Sequence, residues 1–252
     1  MTAFDREYRT IEVAAPDPGV ASLTIDRRAD LNRITPATLD DLDAALDALA
    51  GVAPPVLIVS GAGPRAFSVG ADLDALDGRD AAEAAALARR GRRTFGRLPG
   101  YGAPVIAAVD GYCLGGGMEL AAHADLRIAS PDATFGLPEC DRGLVPGWGG
   151  TRRLRRLVGT GRAAEVVLSA DEYDAEAMRR YGFVTELADD PLDRARERAR
   201  ALADRPPEAA RAVKRALAGD PAVDAAAFGR LAARREAEDG AGSAEGGSGD
   251  AP

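Results

Sequence analysis

The stretch at residues 104–130, PVIAAVDGYCLGGGMELAAHADLRIAS, constrains the fold of this chain more than any other. Its segment Val105 to Val109 is short, apolar and partly β-branched, as a buried strand is. Three successive glycines, Gly115, Gly116 and Gly117, then lead into an Ala-rich segment of helical character. Strand, exposed-backbone turn and helix therefore follow in direct succession. Glycines let a ligand approach the main chain closely, and the N–H groups of a helix starting near Gly116 or Gly117 carry partial positive charge. An oxyanion or a phosphate fits such a turn; a helix cap that only needs flexible φ/ψ is the other reading of the same residues.

Two more apolar segments, Val20 to Ile25 and Val56 to Ser60, read as buried strands. A helix is predicted from Thr35 as N-cap with Pro36 at its first position, because Leu39, Leu42, Leu46 and Leu49 recur at spacings of three and four. Further helices are expected from about Asp80 to Leu98, Ala175 to Tyr181 and Leu192 to Leu202. Strands dominate early and helices late, which predicts an α/β core with a mostly helical C-terminal part. The expected boundaries are a core over 1–158, a helical region over 159–238 and an acidic Gly/Ser tail over 239–252. The tail has no large apolar residue and is expected to be disordered.

A net charge of -8 argues against a nucleic-acid partner and against an anionic membrane surface, since both favour a basic face. Lys214 is the only lysine, and Arg supplies the remaining basic residues, as in a GC-rich or a salt-adapted source. No apolar run approaches the roughly 20 residues that cross a bilayer. The first residues include Asp5, Arg6, Glu7 and Arg9 where a secretion signal has its apolar core, so a cytoplasmic location is expected. Cys113 and Cys140 form no CxxC pair, no cluster has metal-ligand spacing, and reduced, small buried thiols are expected at both.

Two carboxylates stand beside glycine- or proline-shaped turns: Glu119, two residues past Gly117, and Glu139, at the end of FGLPE. Each alone is a common surface residue. Other chemistries find less support. GAGPRA, at 61–66, matches G-x-G-x-x-A, but no long helix follows and no acidic residue ends a second strand about 20 residues on, as a dinucleotide site requires. The single histidine, His123, lies one helical turn after Glu119 and is within reach of its carboxylate, and no G-x-S-x-G elbow accompanies it. A packed histidine is the plainer reading. Trp148 in PGWGG lines a pocket or caps a turn.

In order and spacing, AFSVGADL (66–73), GYCLGGGMEL, FGLPE and GLVPGWGGTRRLRRLVG (143–159) resemble the signature blocks of the enoyl-CoA hydratase/isomerase (crotonase) family, with weaker likeness over about 4–217. The resemblance implies a spiral of ββα units with a helical C-terminal region, assembled as a homotrimer or a dimer of trimers. It implies an acyl-CoA substrate, no metal and no separate cofactor. Glu119 and Glu139 take the place of the family's catalytic carboxylates, and the N–H groups of Ser68 and Gly116 that of its oxyanion hole. Ala66, Gly70, Ala71, Asp72, Leu73, Gly115 and Trp148 fall in blocks that contact the thioester and CoA. Retention of both carboxylates implies hydration of trans-2-enoyl-CoA, as in fatty acid breakdown, or dehydration, over a double-bond shift. Another acyl-CoA reaction of the family, such as that of an isomerase or a dehydratase, is the alternative, and a non-catalytic binding homologue or a nucleotide-binding oxidoreductase is a more distant one. The chain departs from the family pattern at Arg33, where a small residue is usual, and at its C-terminus, where a Gly/Ser tail replaces an acidic-EG-x-x-AF-x-x-KR helix.

Overall fold

The computed structural model describes residues 3–217, 219 and 225–234. Strands β1 (Ile11–Asp17) and β2 (Val20–Ile25) pair antiparallel, with Ile11 opposite Ile25. Helix α1 (Pro36–Val52) starts where the sequence predicts. The Thr35 hydroxyl accepts the Thr38 N–H, and the Thr38 hydroxyl accepts that of Thr35, so two of the four unsatisfied donors at a helix start are met. Leu39, Leu42, Leu46 and Leu49 are buried, and each contributes about 1.5–3 kcal/mol by leaving water.

From here a strand–strand–helix unit recurs. β3 (Val56–Gly61) and β4 (Ala66–Ser68) precede α2 (Ala81–Gly96). β5 (Val105–Val109) and β6 (Tyr112–Leu114) precede α3 (Gly116–His123), and β7 (Leu126–Ala129) and β8 (Thr134–Gly136) precede α4 (Gly150–Ser169). The chain continues through β9 (Glu172–Asp174), α5 (Ala175–Arg180), β10 (Glu186–Leu187) and α6 (Pro191–Ala203). The first strand of each unit joins a six-stranded sheet of order β1-β2-β3-β5-β7-β10, and the second joins a four-stranded sheet of order β4-β6-β8-β9. Apart from β1 and β9, neighbouring strands run parallel.

Parallel strands buried on both faces read as continuous apolar runs, which is why Val56–Val59 and Val105–Val109 are apolar throughout and buried. A core of Leu23, Leu57, Val59, Phe67, Phe135 and Phe183, among others, lies on one face of the large sheet; a smaller one, Val20, Ile58 and Ile106 with Ala195 and Ala199 of α6, covers the other. Residues 1–204 form one compact unit, so position 158/159 falls inside α4, where Gly159 (φ 80°, ψ 166°) interrupts the helix. The second unit, 205–252, contains α7 (Pro207–Leu217) and a helical segment at 225–234, bridged by an Arg234–Glu208 ion pair. The expected tail, 239–252, lies outside the described residues. Among those residues, no helix is long and apolar enough to cross a membrane.

Candidate active site

The C-terminal ends of β4, β6 and β8 lie side by side, because these strands are parallel neighbours in the small sheet. Three sequence blocks far apart in the chain therefore converge on one edge, where open α/β sheets commonly hold ligands. β4 delivers the turn through Gly70 and Ala71, β6 delivers Gly115 and the start of α3, and β8 delivers Leu137 to Glu139. Gly70 (φ 89°) and Gly115 (φ 50°) take backbone conformations that L side chains rarely adopt. A Cβ on Gly70 would stand 2.6 Å from the Gly116 nitrogen, so the two turns are in direct contact.

This edge opens into a cavity of about 810 Å³, within the range of small-molecule sites. Ala71, Asp72, Leu73, Gly115, Gly116, Glu119, Glu139 and Trp148 line it. Its other walls include Leu87 and Ala88 of α2, Tyr112, and Glu172, which arrives only through the pairing of β9 with β8.

Ala66, Ser68 and Gly70 are not among the lining residues, and this corrects the expectation for Ser68. Ser68 is fully buried inside β4, and its hydroxyl accepts the Gly70 N–H at 3.1 Å. Ala71 is the residue whose amide faces the site. Ile34 N–H donates to Gly70 O at 2.8 Å and Asp72 N–H donates to Ile34 O at 2.9 Å, which turns the intervening Ala71 N–H to the other side. On that side lies Gly116: a Cβ there would be 3.3 Å from the Ala71 nitrogen. The Gly116 N–H is at the first turn of α3 and has no partner within the helix. Two amide donors are thereby brought together. Asn32, buried with φ 55°, braces this region by donating to Ala62 O and Ala66 O and accepting the Arg27 N–H. Arg33 pairs with Asp72 at 3.3 Å on the cavity wall.

Glu119 is 2 % exposed, and its Oε1 accepts the N–H groups of Trp148 at 2.9 Å and Gly150 at 2.7 Å. Burial pushes its carboxyl up to about 8, and the charge of Glu139 adds to this, while the two amide bonds oppose it. Burial also raises Glu139, whose Oε2 is buried with no hydrogen-bond partner. Two carboxyls with raised affinity for protons thus share one cavity, an arrangement suited to acid/base work near neutral pH.

His123 binds the Glu119 main chain rather than its carboxylate. Its Nδ1 lies 2.7 Å from Glu119 O, and burial lowers the ring to about 4, so a neutral imidazole donates from Nδ1. Cys113 is buried as expected, but Cys140 is exposed, because it begins a 3-10 turn on the loop after Glu139.

The raised Glu119 carboxyl has a measurable consequence for stability. The group ionises near 4.5 in an unfolded chain and near 8 in the folded one. Between these values the unfolded chain binds fewer protons, so Glu119 makes stability fall as pH rises through this window and level off above it. Glu119→Gln keeps the acceptor for Trp148 and Gly150 but removes the ionisation. Urea unfolding should find the variant gaining on the parent by a few kcal/mol from pH 5 to pH 8, at about 1.36 kcal/mol per pKa unit. A constant difference across this range would count against the raised carboxyl.

The profile of the enoyl-CoA hydratase/isomerase family matches residues 16–238. A short-chain-enoyl-CoA hydratase of Clostridium acetobutylicum is 38% identical over 171 residues, 68% of this chain and 66% of that protein. A crotonyl-CoA hydratase of Syntrophomonas wolfei is 39% identical over 169 residues, 67% of this chain and 65% of that protein. The matched stretch thus spans just under two thirds of either relative. The crystal structure of an enoyl-CoA hydratase from Thermoplasma volcanium superposes with a TM-score of 0.85 at 30% identity, covering 92% of this chain and 95% of that one. The spiral of ββα units expected from the sequence blocks is the fold shared with that structure. By its profile match, its relatives and its fold, this chain belongs to the enoyl-CoA hydratase/isomerase family.

Proposed function

We propose that this protein adds water across the double bond of trans-2-enoyl-CoA thioesters, with Glu119 and Glu139 as its acid/base pair. The observation that carries this reading is the pair itself: two carboxyls with raised proton affinity in one cavity, beside the amides of Ala71 and Gly116. The thioester oxygen sits against those two N–H groups, Ala71 taking the place first expected for Ser68. Water attacks the β-carbon, the π electrons move toward the thioester oxygen, and the α-carbon takes up a proton. The ionised carboxyl of the pair removes the proton from water while the protonated one supplies the proton to carbon, so the pair keeps its total count. Fixed amide donors stabilise the developing enolate charge, each by about 10² to 10³ in rate.

Glu119 is suited to hold the water, because two amides fix one of its oxygens and leave the other free. Glu139, with an unpartnered oxygen, can complete the water's hydrogen bonds. CoA enters past Arg33 and Asp72, and the family's homotrimer or dimer of trimers is the assembly proposed for this chain.

Addition of water is redox-neutral, and the thioester itself activates the β-carbon. Turnover of crotonyl-CoA, followed by loss of the conjugated enoyl absorbance, should therefore survive EDTA and require no nicotinamide. Activity lost in EDTA and restored by a divalent metal would overturn this mechanism.

A further inference from the structure

The Trp148 indole occupies a place that two glycines leave open. A Cβ on Gly116 would stand 2.3 Å from Trp148 Cζ3, and a Cβ on Gly91 of α2 would stand 2.4 Å from Cδ1 and Nε1. The ring is therefore wedged between the start of α3 and the middle of α2, and it is 6 % exposed. Phe95, one turn further along α2, meets it edge to face with centroids 5.2 Å apart. Behind Phe95 lies a small void of about 10 Å³ lined by Leu42, Leu46, Leu98 and Leu120. Trp148 and Phe95 thus separate the cavity from apolar interior that would otherwise extend it. Nearby, the loop before Trp148 also closes onto α2: a Cβ on Gly147 would lie 3.3 Å from Ala88 Cβ.

We propose that the Trp148 side chain is the closed end of the acyl channel and restricts this enzyme to short acyl groups, of crotonyl size rather than octenoyl or longer. The inference rests on the hydratase reading for where the thioester sits: with its oxygen at the Ala71 and Gly116 amides, the acyl chain passes the carboxylates and meets the ring packed on Gly116. Trp148 acts here through its indole; its main-chain N–H, which holds Glu119, is the same in every side-chain variant. An apolar pocket one or two methylenes too short discriminates steeply, by about 10- to 200-fold per methylene.

The test compares kcat/KM for crotonyl-CoA and octenoyl-CoA, together with calorimetric Kd values for the unreactive butyryl-CoA and octanoyl-CoA, in the parent, Trp148→Ala and Trp148→Phe. The parent should favour the short chain by at least about tenfold, and Trp148→Ala should shift both ratios toward the long chain by about tenfold or more. Trp148→Phe, which keeps an aromatic ring between the two glycines, should shift them less and in the same direction, and it carries the test if the Ala variant does not fold. A parent without chain-length preference, or Kd ratios that stay unchanged in the variants, would overturn the inference. Failure to hydrate any enoyl-CoA, with the Kd ratios shifting as expected, would remove the hydratase reading and leave the role of Trp148 standing.

Discussion

Glu139→Gln should lower kcat for enoyl-CoA hydration by about 10²- to 10⁴-fold while KM changes little, because the amide keeps the shape of the carboxyl and loses its proton transfer. The change touches one wall of the cavity, and among the described residues no other is hydrogen-bonded to the Glu139 side chain, whose Oε2 is buried without a partner. Stability should therefore be retained, which separates a chemical loss from an unfolded one. Glu119→Gln should show a loss of similar kind. The double variant should lose much less than the product of the two single losses, since a water held by two groups is already misplaced when one is gone. Steady-state kinetics of the three variants decide this. A Glu139→Gln enzyme with an unchanged kcat would remove Glu139 from the reaction.

Arg127→Leu should destabilise the fold by several kcal/mol, about 1–3 kcal/mol for each buried carbonyl left without its donor. Arg127 is 2 % exposed, and its guanidinium is solvated largely by main-chain carbonyls. Nη1 donates to Ala124 O at 2.8 Å, Nε donates to Phe183 O at 2.5 Å, and the group stacks over the Phe183 ring at 5.3 Å. Burial lowers it to about 10, which still leaves it charged at neutral pH. Two of its acceptors, Ala121 O and Ala124 O, lie at the C-terminal end of α3, where the helix dipole favours a cation. Because α3 begins at Gly116 and carries Glu119, the loss of this clamp should lower activity as well as the urea midpoint. Arg127→Lys should fall between, since it keeps the charge and lacks the fork of donors. A Leu variant as stable as the parent would contradict this account of the buried cation.

The sequence made some of this arrangement plain and hid the rest for physical reasons. α1 was legible because Thr35 and Pro36 mark its start and its leucines face one core. The strands over Val56 and Val105 were legible because burial on both faces leaves an unbroken apolar run. The turn at Gly115 showed itself through glycines that the backbone requires. By contrast β4, β6 and β8 have three residues each, too few to display an alternating pattern, so the small sheet that brings Ala71, Glu119 and Glu139 together had no local signal. Motif spacing placed the right block at residues 66–73 but could not tell which amide turns outward; that depends on the bonds of Ile34 to either side of Ala71. The contact of Glu119 with Trp148 and Gly150 spans about thirty residues and arises only when α4 packs on α3. Nothing in the sequence marks Arg127 as buried, since arginine is mostly exposed and its partners here are carbonyls that no sequence pattern reports.

Mass spectrometry of the product formed from crotonyl-CoA in ¹⁸O-labelled water tests the central claim most directly. The paired carboxylates should place one solvent oxygen on the β-carbon, giving a singly labelled 3-hydroxyacyl-CoA, and the doubly substituted Glu119→Gln, Glu139→Gln protein should form almost none. An unlabelled 3-enoyl-CoA product, or labelled product formed equally well without the two carboxylates, would contradict it.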